Sequence, residues 1–239
     1  MSGHSKWSTI KRKKGREDAK RGNLTSKLVH HITIAARSGA DPNSNTKLRV
    51  VIEKAQSYNI AKATIERAIK RSLNQDSKKV FHEVTYEGYG PGGVAIMVKC
   101  LTDNRNRSVA AVRHLLSKFS GSLGNEGSVG YLFRDIGILS YNNLIENQNF
   151  IEEIIESGAE DFTTEGNQII VITKPNEITR IRDYLSSKGY SAGTEKLDKQ
   201  ATTEIELSHD QSEKMLRLFD ALEELEEVEE VYSNALLEE

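Results

Sequence analysis

The run Gln168-Ile-Ile-Val-Ile-Thr173 predicts a buried strand, because it is rich in β-branched residues and too short for a helix of ordinary length. A second apolar strand is predicted upstream, over residues 136–141. Between the two, isoleucines recur three and four positions apart over residues 150–156, a spacing typical of an amphipathic helix. A further strand is predicted near residues 161–164. This part of the chain therefore reads strand, helix, strand, strand.

The pattern continues downstream and completes a small module. Pro175 opens a second helix, whose apolar residues again recur at helical spacing, and a last strand is predicted over residues 191–197. The order strand, helix, strand, strand, helix, strand is the split βαβ, or ferredoxin-like, arrangement. We therefore predict a ferredoxin-like α+β domain over residues 135–203.

The segments on either side of this module together predict a second α+β domain. Residues 81–134 predict strands and one helix, and residues 204–239 predict a strand, a long helix and a closing strand over 228–232. Neither segment makes a whole sheet domain alone. We predict that residues 81–134 plus 204–239 form one discontinuous α/β-sandwich domain, into which the ferredoxin-like domain is inserted.

Three stretches of this discontinuous domain have a distinctive composition: a glycine-rich turn, a short apolar run and an acidic run. The turn Gly88-Tyr-Gly-Pro-Gly-Gly93 joins strand to strand, and no Gly-Lys-Ser/Thr follows it, so we interpret it as a wide hairpin and not as a phosphate-binding loop. Residues 127–133 are predicted to form a strand. The acidic run Glu223–Glu230 is predicted to be the solvated face of the last helix. The alternative is an electrostatic guard that keeps this face away from nucleic acid.

The first 80 residues predict a separate helical domain. Three amphipathic helices with short links are predicted over residues 17–72, which makes a small bundle. Tyr58 is placed on the inner face of the second helix. The second and third helices carry outward cations: Lys47, Lys54, Lys62, Arg67, Lys70 and Arg71. We therefore predict a basic helical domain over residues 1–80.

The net charge of −2 conceals a separation of charge along the chain. Residues 1–80 carry 19 Lys and Arg against 6 Asp and Glu, whereas residues 81–239 carry 14 against 29. Asymmetry of this size indicates that the basic part faces a polyanion. The alternative is that the basic and acidic parts attract each other within the protein.

The basic charge is densest near the N-terminus, where Trp7, the only tryptophan, lies between a lysine and four consecutive cations. Such a pattern is expected of a surface that binds nucleic acid, because cations attract phosphates and an aromatic ring stacks on a base. A solvated arm that Trp7 anchors is the alternative. The only dense cations after residue 80 lie in the helix that follows Asp103. The predicted nucleic-acid-binding residues are Lys6, Trp7, Lys11, Arg12, Lys13, Lys14, Arg16, Lys20, Arg21, Arg105 and Arg107.

The sequence lacks the motifs of common enzyme classes. Its six histidines show no metal-ligand spacing, and it has no nucleophile elbow, dinucleotide fingerprint or nucleotide-binding loop. The single Cys100 excludes an internal disulfide. We predict a protein with no catalytic residue, no metal and no cofactor. A metal-dependent nuclease, whose carboxylates converge only in the fold, is the minor alternative, and a protein-interaction scaffold is another.

No apolar run in the sequence approaches the length of a membrane span, and the N-terminus lacks the apolar core of a secretory signal. We therefore expect a cytoplasmic protein that does not contact a membrane, and we expect a monomer.

Five motifs, in order, resemble the YebC/PmpR family from end to end. They are Met-Ser-Gly-His-Ser-Lys-Trp-Ser-Thr-Ile-Lys-Arg-Lys-Lys (residues 1–14), Ala35-Ala-Arg-Ser-Gly39, Ile65-Glu-Arg-Ala-Ile-Lys70, Tyr86-Glu-Gly-Tyr-Gly-Pro-Gly-Gly-Val94 and Leu101-Thr-Asp-Asn-Arg-Asn-Arg107. The resemblance implies a three-domain α+β protein with a helical N-terminal domain, and a cytoplasmic, non-enzymatic regulator.

The resemblance also implies a class of partner. Members of this family are commonly labelled probable transcriptional regulators that bind DNA, which makes DNA the first expected partner. Mitochondrial relatives are translational activators, and some bacterial relatives are regarded as ribosome-associated. The alternative is therefore a translation factor on the ribosome that binds ribosomal RNA or tRNA.

Overall fold

A computed structural model of the protein describes residues 17–74, 81–144, 147–165 and 167–237. N-terminal helices precede two four-stranded sheets with helices packed on them, so the α+β fold class predicted from the sequence is confirmed. None of the helices in the described parts of the chain combines the length and apolar character needed to cross a membrane.

The described residues form two compact units. The first unit takes the described residues between 17 and 128 and those from 210 to 231. The second unit takes the described residues between 129 and 209 and those from 232 to 237. The division into three domains at residues 80, 134 and 203 stays a prediction.

The first unit begins with three helices, as the apolar spacing predicts: α1 (Glu17–Ala36), α2 (Thr46–Ser57) and α3 (Lys62–Asn74). Asn45 caps α2, because its side-chain oxygen accepts a 3.1 Å hydrogen bond from the Leu48 amide. Apolar residues from all three helices and from the turn between α2 and α3 share one buried core: Leu28, Ile32, Ala36, Leu48, Ala55, Ile60, Ile65 and Ala68. The cations between these positions are therefore left for the surface.

The sheet of the first unit has the strands β1 (His82–Tyr89), β2 (Ala95–Thr102), β3 (Ser122–Leu123) and β9 (Val228–Ser233), and its helices are α4 (Arg105–Lys118) and α7 (His209–Glu223). The strand order is β3-β1-β2-β9. Strand β1 pairs antiparallel with β2, so the glycine-rich turn between them is the predicted hairpin. Within the turn, Gly92 and Gly93 have φ angles of 74° and 76°, which favour glycine over residues with a side chain.

The predicted strand over residues 127–133 is wrong for most of its length. Gly127 has a φ angle of 82°, and residues 130–132 form a 3₁₀ turn in which the Leu132 amide donates to the Val129 carbonyl at 2.9 Å. Two glycines within four positions let the backbone turn here, which the apolar run did not reveal. The strand β4 begins only at Phe133.

The second unit contains the predicted split βαβ module. Its elements are β4 (Phe133–Asn142), α5 (Gln148–Glu156), β5 (Asp161–Glu165), β6 (Gln168–Thr173), α6 (Ile178–Ser187) and β7 (Thr194–Ala201). The strand order is β5-β6-β4-β7, and each neighbouring pair is antiparallel, which is the ferredoxin-like topology. Both helices and the two central strands supply one apolar core: Leu139, Tyr141, Phe150, Ile154, Ile169, Val171, Ile178, Ile181 and Leu185.

The sequence predicts that the acidic run Glu223–Glu230 forms the solvated face of the last helix, and this prediction is wrong. Helix α7 ends at Glu223, and the chain turns before β9 begins at Val228. The Glu227 carbonyl accepts a 2.8 Å hydrogen bond from the Leu101 amide, so this part of the acidic run is hydrogen-bonded to β2. Farther along, β8 (Ile205–Glu206) and β10 (Ala235–Leu236) pair in parallel.

Candidate nucleic-acid interface

The predicted contact residues are distributed unevenly in the structure. Lys20 and Arg21 lie in α1, and Arg105 and Arg107 lie in the first turn of α4. The remaining predicted residues lie outside the described ones: Lys6, Trp7, Lys11, Arg12, Lys13, Lys14 and Arg16. Their role stays a prediction from the sequence.

The outer surface of α2 and α3 is strongly basic. These two helices carry seven cations against two acids, Glu53 and Glu66, and all nine side chains are exposed. The core spacing explains this arrangement, because the apolar residues take the inner face and leave the cations outside. The seven cations are Lys47, Arg49, Lys54, Lys62, Arg67, Lys70 and Arg71. We call this set the α2–α3 basic face.

An aromatic side chain lies in the turn between α2 and α3. The sequence places Tyr58 on the inner face of α2, but this is wrong, because its side chain is 48% exposed. Helix α2 ends at Ser57, and Tyr58 is its C-terminal cap with φ −93° and ψ 13°. The helical period no longer applies at this position. The Asn59 that follows, with φ 58°, is the signal for a helix end that could have identified this exposure.

The two predicted arginines of α4 have different surroundings. Arg105 is exposed to solvent. Arg107 pairs with Asp103 at 2.8 Å, and its Nε donates to Glu227 Oε1 at 2.9 Å. The hydrogen bonds with Glu227 and Asp103 raise the pKa of Arg107. Its charge is therefore already balanced within the fold, whereas Arg105 is open to an external anion.

The acidic run meets α1 within the first unit. His31 Nε2 lies 2.9 Å from Glu229 Oε1, and His30 Nδ1 lies 4.0 Å from Glu226 Oε1. Burial alone would raise the pKa of Glu229, but its interactions with His31, Lys99 and His30 together outweigh burial and lower it. Burial also lowers the pKa of Lys27, and Glu223 and Glu229 oppose that shift. Attraction between basic and acidic segments therefore operates inside this unit.

The side chain of His30 lies among charged and aromatic groups. Its Nδ1 faces Glu226, while its buried Nε2 has no hydrogen-bond partner among the described residues. The ring packs edge-on against Phe81, with centroids 5.2 Å apart, and Arg37 lies 4.8 Å over the same Phe81 ring. These groups line a cavity of about 250 Å³ together with Arg107. Both arginines and carboxylates line the cavity, so its wall has no single sign of charge.

Folding stability is expected to fall as pH drops below about 6.5, in part because of His30. Burial lowers the pKa of His30 from its ordinary 6.5, with Glu226 opposing the shift and His31 reinforcing it. The unfolded chain then binds the proton more readily, so acid favours unfolding. The urea midpoint should fall from pH 7.5 to 5.5, and the fall should be smaller in His30→Gln.

The matched control for this measurement is His209→Gln, because His209 is exposed at the start of α7. Glu226, Glu229 and His31 face the same site in every variant, so the difference between variants is the readout. An equal fall in the midpoint for His30→Gln and the natural protein would contradict the assignment.

Metal-ligating side chains do not cluster in the part of the chain that the structure describes. Within residues 17–74, 81–144, 147–165 and 167–237, no group of three His, Cys, Asp or Glu side chains is arranged to hold a metal ion. Cys100 is buried, and burial raises the pKa of its thiol to about 12, so it is a core residue and a poor nucleophile.

Two family models match the chain. One, described as the TACO1/YebC protein N-terminal domain, matches residues 5–75. The other, described as the TACO1/YebC second and third domain, matches residues 81–235.

Curated proteins from several bacteria are similar to the chain over nearly its whole length. A protein of Nitrosococcus oceani is 47% identical over 237 residues, which cover 98% of this chain and 96% of that one. Proteins of Francisella tularensis and Coxiella burnetii are 46% and 47% identical over 98% of this chain and 96% and 97% of theirs. All three are named "Probable transcriptional regulatory protein".

A solved structure has the same fold. The crystal structure of a conserved hypothetical protein from Aquifex aeolicus is 37% identical in sequence, with a TM-score of 0.79. The match covers 98% of both chains.

Proposed function

The chain belongs to the TACO1/YebC family, and on that premise we propose that it is a non-enzymatic regulator of gene expression that binds nucleic acid through its basic N-terminal region. The observation that carries the proposal is the α2–α3 basic face, where seven exposed cations stand against two acids. The regulatory names of the relatives support the class and make DNA the first target.

The charge distribution supports the same surface. Clustered lysines and arginines attract phosphates irrespective of base sequence, because binding releases counterions from the nucleic acid. The acidic remainder of the chain has the same sign of charge as the polyanion, so the attraction is concentrated in the basic region. The predicted arm, with its four consecutive cations Lys11–Lys14, extends this region in sequence.

Salt titration of binding tests the proposal directly. The full chain is mixed with fluorescently labelled duplex DNA and single-stranded RNA, and anisotropy is measured from low to high salt. Affinity should fall steeply, with a slope of about 0.9 per neutralised phosphate on duplex DNA and about 0.7 on a single strand. An absence of binding at low salt would overturn the proposal, and so would affinity that does not depend on salt.

The same samples test the absence of catalysis. After incubation with magnesium, labelled DNA and RNA should remain intact on a denaturing gel. Cleavage by the purified protein would favour the nuclease instead.

Fractionation of a lysate separates the possible targets. Recovery of the protein on promoter fragments would favour a role in transcription, whereas sedimentation with ribosomes would favour ribosomal RNA.

A further inference from the structure

We infer that Tyr58 is a stacking platform for an unpaired base, so that the α2–α3 basic face binds single-stranded or looped nucleic acid in preference to a duplex. The inference rests on the proposed function and adds the form of nucleic acid that the surface takes.

Tyr58 lies in a turn whose backbone is hydrogen-bonded. Its amide donates to the Lys54 carbonyl at 3.3 Å, and the next two amides donate to Gln56 and Ala55 carbonyls at 2.9 and 3.0 Å. Ile60, which closes the turn, is buried in the bundle core. A side chain on so constrained a backbone loses little conformational entropy when it binds, which favours its use as a contact.

Exposed cations lie on either side of Tyr58 in the chain. Lys54, in the last turn of α2, has an exposed side chain, and its carbonyl accepts the hydrogen bond from the Tyr58 amide. Lys62 opens α3 just across the turn. Cations therefore precede and follow the ring along the chain.

An exposed tyrosine ring flanked by lysines discriminates between paired and unpaired nucleic acid. In a duplex the base faces are stacked on one another, and only their edges are accessible in the grooves. A tyrosine ring can therefore stack on a base only where that base is unpaired. The lysines bind phosphates in either form, so they supply affinity and the ring supplies the preference.

Charge complementarity selects nucleic acid over other occupants of this surface. A protein partner would need carboxylates opposite seven cations and an apolar area to cover the ring. A nucleic acid strand offers both features in every nucleotide, as one phosphate and one flat base. A single exposed tyrosine without cations would carry no such inference, because isolated apolar side chains are normal on protein surfaces.

Three probes separate the base from the phosphate. They are an oligothymidylate of about twelve nucleotides, within the site size of single-strand binders, a duplex of the same length, and an abasic strand that keeps the phosphates but lacks bases. An oligouridylate repeats the first probe as RNA. Binding to the full chain is measured by anisotropy for Tyr58→Ala, Tyr58→Phe and Lys54→Ala.

Tyr58→Ala should weaken binding to the oligothymidylate about 5- to 100-fold and leave the duplex and abasic strands within about twofold. Tyr58→Phe, which keeps the ring, should bind like the natural protein. Lys54→Ala should weaken binding to all three probes and lower the salt slope by about 0.7 to 0.9. Equal losses on thymidylate and uridylate would show that the ring takes unpaired bases of DNA and RNA alike. A loss on only one would assign the site to that nucleic acid.

The matched control is Tyr131→Ala, because Tyr131 is 74% exposed and lies in the second unit, away from the α2–α3 basic face in sequence. It should leave binding to every probe unchanged. The inference is overturned if Tyr58→Ala changes all probes by one factor, or changes none, while its circular dichroism melting curve matches that of the natural protein. If the natural protein binds none of the probes, the proposed function fails as well.

Discussion

Replacing Lys11, Arg12, Lys13 and Lys14 together by alanine is expected to weaken binding to duplex DNA by about 100- to 1,000-fold near 0.1 M salt. The four cations are consecutive, so their positive charge is concentrated over one short segment of chain. If each neutralises one phosphate, their loss should lower the salt slope by about 3 to 4. Anisotropy titrations at several salt concentrations would give both quantities.

A charge-conserving variant is the control for this experiment. Changing Lys11, Lys13 and Lys14 to arginine keeps four cations at the same positions and should leave affinity within about threefold, since the phosphate interaction depends mainly on charge. If the alanine variant kept both the affinity and the salt slope of the natural protein, the arm would not be a contact. The α2–α3 basic face would then remain as the contact surface.

Phe150→Ala is expected to lower the free energy of unfolding of the ferredoxin-like module by about 3 to 5 kcal/mol. The Phe150 side chain is completely buried. Its ring centroid lies 4.8 Å from that of Tyr141 and 4.5 Å from that of Tyr190, so α5 is joined through it to β4 and to the turn after α6. The substitution would remove these contacts and leave a cavity in a close-packed core.

Ile155→Ala is the matched control, because Ile155 lies on the same helix and is 66% exposed. It should change stability by about 0.5 kcal/mol or less. The two units need not unfold together, so the readout should be local. Hydrogen exchange of the α5 and β6 amides in a urea series serves this purpose. Equal effects of Phe150→Ala and Ile155→Ala would contradict the assigned core.

Local patterns in the sequence were enough to predict most of the secondary structure. The β-branched run at residues 168–173 became β6 with the same bounds, and the isoleucines of 150–156 lie in α5. These signals succeed because side-chain burial repeats every two residues in a strand and about every 3.6 in a helix. Strand β7 was predicted three residues too early, because it is an edge strand whose many polar residues give a weak pattern.

The candidate surface was predicted only in part. Lys47, Lys54 and the cations of α3 were expected on the outside and are exposed. Tyr58 was misplaced, because the helical period was continued one residue beyond the end of α2. The side chain of the residue that follows a helix can be exposed where the helical spacing would place it in the core. Helix ends are therefore the positions at which a prediction from the helical period fails first.

Five sequence motifs thus carried the family resemblance, while composition and local spacing determined the order of elements and the separation of charge along the chain. Only the tertiary structure decided which charged side chains contact one another. Arg107 and Glu227 are 120 positions apart, and His31 meets Glu229 across an even longer separation in sequence. Such pairs leave no periodic signal, because they depend on where whole elements pack and not on any local pattern. The fold therefore balances the charge of Arg107 within the first unit and leaves the α2–α3 basic face open to solvent.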